Sequence, residues 1–283
     1  MTKKEWLIFG LGGILVGVMS ICIVLACDIA ESIFSFLYSK LAPATFIMTP
    51  IGFLGIVWVI RRYAREAEGG GISQTLLALK DSNPAFHPFL SKQALLGKLS
   101  LIPGFLIGAS MGYEGPVIQM SAILMTQLAR FLETTRQDLI RLAIVAGAGA
   151  GIAAAFGAPL SGIIFTIEEL NQQDLSSFSY AVLTTILISG LLCEMVLGHY
   201  IYLGHMTSTM NIHVKGLQCC FLIPVCGILG GVAGSIFSKI IIRLVFWMKN
   251  IRHPWYKIAL ISGILVAIFN ILSSGETAGS GQH

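Results

Sequence analysis

Nine apolar tracts, at roughly 5–37, 44–61, 93–109, 115–132, 139–155, 158–170, 176–198, 217–248 and 255–273, occupy most of the sequence. A helix of about 20 apolar residues spans a bilayer, and inside lipid every backbone polar group must be satisfied within the structure. The tracts therefore predict an all-α polytopic membrane protein. Only 11% of residues are charged and 55% are hydrophobic, where a soluble domain carries about 25% charge. A soluble enzyme, a disordered chain and a collagen-like fibre are excluded on that ground. No solvated stretch is long enough to present a basic patch, so a nucleic-acid partner is not expected.

The unevenness of the tracts is informative. Those at 5–37 and 217–248 are too long for upright helices and must tilt or protrude, while 158–170 is too short to cross alone. Gly and Pro break the pattern at Gly69-Gly70-Gly71, at 112–116, at 147–151 and at Gly157-Ala158-Pro159. Short or broken apolar segments of this kind point to half-helices that meet at mid-membrane and bind an ion. The small-residue run at 146–155 lets helices approach closely.

Lys3 and Lys4 before an apolar run resemble a secretory signal, but the run from Trp6 to Cys27 is longer than a signal's 7–15-residue core. It reads as a first membrane helix. With the N-terminus cytoplasmic, sixteen of the eighteen Lys and Arg residues fall on or near the inner side, leaving Lys40 and Lys215 outside. The expected location is the cell membrane, the inner one if the source is Gram-negative. The six cysteines show no CxxC spacing and no paired His, and read as reduced apolar thiols with no metal site. His199, His205 and His213 share a proposed outer loop and fit no metal spacing. Asp28 and Glu31, late in the first tract, are either functional intramembrane acids or residues near the outer surface.

Glu114 lies in Met111-Gly112-Tyr113-Glu114-Gly115-Pro116, immediately before an apolar tract. Pro116 suits the first turn of a helix, and Gly112 and Gly115 free the backbone on either side of the carboxylate. The unpaired N–H groups and positive dipole end of that helix would face an anion, with Glu114 beside them. The alternative is an acid at a helix terminus in an exposed loop. Glu168 and Glu169 end the short tract at 158–170. They are either proton-relay groups or interfacial acids.

These stretches, together with the block running from Gly147 through Phe156-Gly157-Ala158-Pro159-Leu160-Ser161-Gly162 to Phe165-Thr166-Ile167-Glu168-Glu169, resemble the ClC family of chloride channels and transporters. The GxEGP motif and the long GAAAGxxAAFxAPLxGxxFxxEE block match in order and spacing, with Gly149 replacing one alanine. The resemblance implies a ClC-type fold of tilted and broken helices over 1–283. A first repeat would cover about 1–198, and a second repeat would begin at about 217–273. It also implies chloride and proton transport in a lipid bilayer, a homodimer, no cofactor and no enzymatic activity.

On the same resemblance, Glu114 is the gating and external proton glutamate and Glu169 the internal proton-transfer glutamate of the antiporter branch. Gly70, Gly71 and Ile72, in the counterpart of the GSGIP motif, join Gly112, Gly115 and Pro116 in binding the anion. Three departures matter. Gly70 replaces an anion-binding serine, Ser73 replaces a proline, and Tyr113 replaces the basic residue that commonly precedes the gating glutamate. Pro116 favours chloride over fluoride. The GxFxP motif and pore tyrosine of the second repeat are missing from the sequence. The expectation is a H+/Cl− antiporter, against two alternatives: a passive chloride channel, or a truncated fragment that does not transport alone.

Overall fold

The computed structural model describes residues 3–132, 136–170, 180–198, 216–250 and 254–279. Among these residues there are helices and turns, and one isolated bridge that pairs Ser110 with Gly279. The chain divides into two compact units, 1–204 with 259–283, and 205–258.

In the first unit, α1 (Lys3–Tyr63) is two helical arms. Leu41 leaves helical geometry at φ −140°, ψ 48°, just before Pro43, so the gap expected between the first two tracts is a sharp bend. Next come α2 (Ile72–Lys80), α3 (Lys92–Lys98), α4 (Leu101–Leu106), α5 (Glu114–Phe131), α6 (Gln137–Ala155), α7 (Pro159–Phe165) and α8 (Tyr180–Leu197). The tract at 93–109 is interrupted: α3 stops at Lys98 and α4 restarts at Leu101, with Pro103 in its first turn. The short tract at 158–170 becomes α7 followed by a π-helical turn, Thr166–Leu170, which carries both glutamates.

The middle of the unit is α6, buried from Ala143 through Ala155 and packed on α1, α5, α7 and α8. Its glycines make this possible. A Cβ on Gly147 would lie 2.6 Å from the Ser121 carbonyl oxygen, and one on Gly151 would lie 2.7 Å from Ser121 Oγ. Between helices in lipid, such close van der Waals packing is the main attraction. Gly157 then ends the helix at φ +56°. The Ala158 N–H reaches the Ala153 carbonyl at 3.0 Å and the Gly157 N–H the Ala154 carbonyl at 3.4 Å, a Schellman cap that turns the chain into α7.

The part of α10 (Trp255–Leu272) from Ala259 onward also belongs to the first unit. Gly263 lets it approach α1 at Pro50, and Tyr38 Oη donates to the Asn270 carbonyl at 3.2 Å. The turn that follows is latched to the loop before α5. Asn270 Nδ2 donates to the Gly108 carbonyl at 2.9 Å, Thr277 Oγ1 donates to Asn270 Oδ1, and the Met111 N–H reaches the Gly279 carbonyl at 3.2 Å.

The second unit contains α9 (Gly216–Asn250), 35 residues long with Pro224 inside it. At 1.5 Å per residue this helix is about 50 Å long, well over the ~30 Å hydrocarbon core. Among the described residues five helices, α1, α6, α8, α9 and α10, are long and apolar enough to cross a membrane, which makes this a multi-pass membrane protein. Cys27 and Cys193 are buried, whereas Cys22 and Cys226 are exposed rather than buried, and all four are free thiols. His199, His205 and His213 lie outside the described residues.

Candidate functional site

The loop into α2 is built on glycine. Gly69 and Gly71 adopt φ +108° and +110°, which side-chain-bearing residues rarely enter. Gln74 secures the loop from the first turn of the helix: its Oε1 accepts the Gly71 N–H at 2.7 Å and its Nε2 donates to the Glu68 carbonyl at 2.6 Å. This capping by Gln74 leaves Gly71 with a conformational role instead of a free donor. The N–H groups of Gly70 and Ile72 meet no acceptor among the described residues, and they sit at the positive end of the α2 dipole.

The loop into α5 meets this one backbone to backbone. A Cβ on Gly71 would fall 2.1 Å from the Gly115 carbonyl oxygen, and one on Gly115 would fall 2.2 Å from the Gly70 carbonyl oxygen. Pro116 N lies 3.2 Å from the same point on Gly71. Gly70, Gly71, Ile72, Gly115 and Pro116 are thus in one place. Gly112 joins them differently: a Cβ there would lie 2.1 Å from Glu114 Oε2, so the missing side chain is the space that the Glu114 carboxylate occupies. Glu114, the first residue of α5, is half-buried. Around a Cβ at Gly70 there is nothing within 4 Å, the room a serine would use.

Tyr113 is not at an open mouth. It is 1% exposed, in a cluster with Ile23, Cys27, Phe105 and Val117, its ring 6.4 Å from that of Phe105. Glu168 is exposed. The backbone of Glu169 lies in the π-turn, and its side chain lies outside what the structure describes. Glu31 is buried, its carboxylate packed on Gly279, where a Cβ would fall 1.9 Å from Oε1. Asp28 is exposed.

Lys98 is a site residue that sequence reasoning counted only among inner-side charges. It is 4% exposed, and its Nζ donates to the Gly69 carbonyl at 2.6 Å. A cation is therefore anchored beside the α2 start, where it adds to the potential that the helix dipole provides. The signal was available: a lone basic residue inside an apolar tract is a functional candidate by default. Among the described residues, no group of three or more His, Cys, Asp or Glu side chains is arranged to hold a metal. The two adjoining loops offer uncommitted N–H groups at Gly70 and Ile72, two helix N-termini and, beside Gly69, a buried cation, a combination suited to holding an anion.

Known proteins share both sequence and fold with this chain. The chain is 26% identical over 242 residues to the H(+)/Cl(−) exchange transporter ClcA of Yersinia pestis bv. Antiqua (strain Angola). It is equally similar to that of Yersinia pseudotuberculosis serotype O:3 (strain YPIII). Each match covers 84% of this chain and 50% of the relative, so the chain spans about half the length of the curated relatives it matches. A slow cyanobacterial Cl−/H+ antiporter superposes with TM-score 0.77 at 23% identity, over 96% of this chain and 64% of that one. A eukaryotic CLC transporter gives 0.74 at 21%, over 95% and 50%, and a CLC-type fluoride/proton antiporter 0.70 at 19%, over 99% and 69%. These likenesses establish a CLC transporter fold. The family described as voltage gated chloride channel matches residues 51–283; with both glycine loops and the glutamate pair inside that span, the chain belongs to the voltage-gated chloride channel family.

Proposed function

We propose that this chain supplies the gate and one wall of the anion path in a proton-coupled chloride antiporter of the cell membrane, with its N-terminus cytoplasmic. The observation that carries the reading is the meeting of the α2 and α5 starts, with the Glu114 carboxylate lying over Gly112 at the start of α5. A carboxylate so placed competes with chloride for the same N–H groups and helix termini, and protonation releases it. Glu114 thereby exchanges a proton for an anion on the outer side. Glu169 hands protons to the inner side, and an acid there favours antiport over a passive channel. Gly70, Gly71, Ile72, Gly112, Gly115 and Pro116 shape the anion site, the two Gly71-side amides of Gly70 and Ile72 acting as donors. Chloride transfer of this kind makes no covalent bond, so the protein acts as a transporter rather than an enzyme. We assign residues 1–198 to a first repeat, 217–273 to the opening of a second, and the working assembly to a homodimer.

Calorimetric chloride titration tests the gate. Glu114→Gln removes the competing charge, so chloride affinity rises and becomes independent of pH, while the native chain binds chloride more tightly as Glu114 protonates. In a transporting assembly, the same substitution leaves chloride flux and abolishes coupled proton movement, and Glu169→Ala does likewise. Unchanged chloride binding in Glu114→Gln, or proton pumping by that variant, refutes the assignment.

A further inference from the structure

Away from the anion site, α1, the start of α3 and the end of α5 line an open cleft of about 670 Å³ with both polar and apolar walls, its charged residue on α5, Arg130, lying nearer the C-terminus of that helix than Leu124 and Leu128. Its polar part is formed by Ser91, Lys92, Gln127 and Arg130. Gln127 is committed, since its Nε2 donates to the Leu90 carbonyl at 3.2 Å. Ser91 Oγ is also engaged, accepting the Ala94 N–H at 3.1 Å. The two cations are not. Lys92 and Arg130 are exposed, and neither meets a carboxylate among the described residues. Arg130 is oriented by the Phe86 ring, with Cζ 4.6 Å from its centroid, which leaves the edges of the guanidinium free to donate.

The apolar part of the lining runs back along α5, away from its C-terminus. Leu124 and Leu128 stand one helical turn apart on α5, and Leu15 faces the same cleft from α1. Gly12, three residues before Leu15, brings α1 against Met125 and Leu128 of α5, which fixes that wall. Phe131, 82% exposed at the last residue of α5, completes the lining beside Arg130. Two unneutralised cations beside a leucine-lined channel match one chemistry: an anionic headgroup on an acyl chain.

We propose that this cleft binds an anionic phospholipid. The phosphate lies between Lys92 and Arg130, and one acyl chain lies along Leu15, Leu124 and Leu128. Basic pockets between membrane helices favour such headgroups on the positively charged side of the protein. That side is the cytoplasmic leaflet if the orientation proposed above holds, but the site does not depend on the transport reading. A free phosphate would use only the polar part, and a neutral lipid only the apolar part.

Native mass spectrometry of the purified full chain, titrated in detergent with phosphatidylglycerol and phosphatidylcholine, provides the test. At about 1 kcal/mol per cation and 1.4 kcal/mol per tenfold, phosphatidylglycerol is bound roughly thirtyfold more tightly. Lys92→Gln with Arg130→Gln removes that preference, and both positions are exposed, so folding is unaffected. Leu15→Trp, which fills the acyl end, weakens both lipids together. Lys239→Gln with Arg243→Gln, altering exposed cations of α9, leaves the preference intact. Equal binding of the two lipids, or a preference that survives Lys92→Gln with Arg130→Gln, overturns the proposal. So does full displacement by inorganic phosphate, which would mark a headgroup-only site, or loss of lipid binding only on dimerisation, which would make the cleft a contact between copies.

Discussion

Gly70 and Gly71 are neighbours in one loop, yet the structure assigns them opposite tolerance for a methyl group. At Gly71 a Cβ would lie 2.1 Å from the Gly115 carbonyl oxygen and 2.6 Å from its carbon, at φ +110°. The obstacle is backbone from the start of α5, which cannot swing aside as a flexible side chain would. Holding a side-chain-bearing residue in such a conformation costs about 1–3 kcal/mol, and overpacking a filled contact costs about 1–3 kcal/mol more. Gly71→Ala is therefore expected to lose about 2–6 kcal/mol, either as stability or by parting the two helix starts. At Gly70 nothing lies within 4 Å of a Cβ, so Gly70→Ala should cost under about 1 kcal/mol. At about 2–4 °C per kcal/mol for a domain of this size, Gly71→Ala should melt roughly 5–20 °C lower in detergent, with Gly70→Ala close to the native chain. Chloride calorimetry supplies a second readout: Gly71→Ala should lose measurable binding, whereas Gly70→Ser should tighten it. A hydrogen bond to a charged group contributes about 1.5–3 kcal/mol, or tenfold and more in affinity. If Gly71→Ala and Gly70→Ala melt together and bind chloride alike, the backbone contact between the loops is not what holds this site.

Other consequences can be checked with the same two measurements. Lys98→Met keeps the stem and removes the donor to the Gly69 carbonyl, so chloride affinity should fall about tenfold or more in calorimetry; an unchanged affinity would show that the cation is only packing. Gly149→Ala would place a Cβ 2.1 Å from Thr166 Oγ1 and 2.9 Å from Ile186 Cδ1, for a loss of about 1–3 kcal/mol. Adding Thr166→Ala should recover part of that loss if the hydroxyl is the obstacle, and a double-mutant cycle on melting temperature would measure the coupling.

The helices long enough to cross were legible because apolar length is a local property: α6, α9 and α10 begin and end within a few residues of their tracts. The glycine loops were legible for the same reason, since Gly69-Gly70-Gly71 and Gly112 to Pro116 advertise special backbone before any partner is known. What escaped depends on partners distant in sequence. No local pattern announces that Lys98 reaches back 29 residues to Gly69. The break between α3 and α4 carries no Gly or Pro at the junction itself, only Pro103 three residues beyond Ser100. Tyr113 stands in the sequence only as a replacement for a basic residue, and it is residues of α1 and α4 that bury it. Gly149, a departure from the family's alanine, acquires a physical reason only when Thr166 and Ile186 are seen to fill the space.

The latch between Asn270 and Gly108 also sets a schedule for synthesis. Its two ends are 162 residues apart, and a ribosome adds about 5–20 residues per second. The segment leading into α5 therefore waits roughly 10–30 s after its own emergence before the turn that braces it is made. By the end of that interval α1, α5, α6 and α8 have all been made, while the carbonyl of Gly108 and the N–H of Met111 are still without the partners they have in the finished fold. The loop from Gly108 to Met111 thus gains its last hydrogen bonds only when the turn after α10 is made. A pause or a chaperone acting after α8 would act on the geometry of the gate rather than on the helices beneath it.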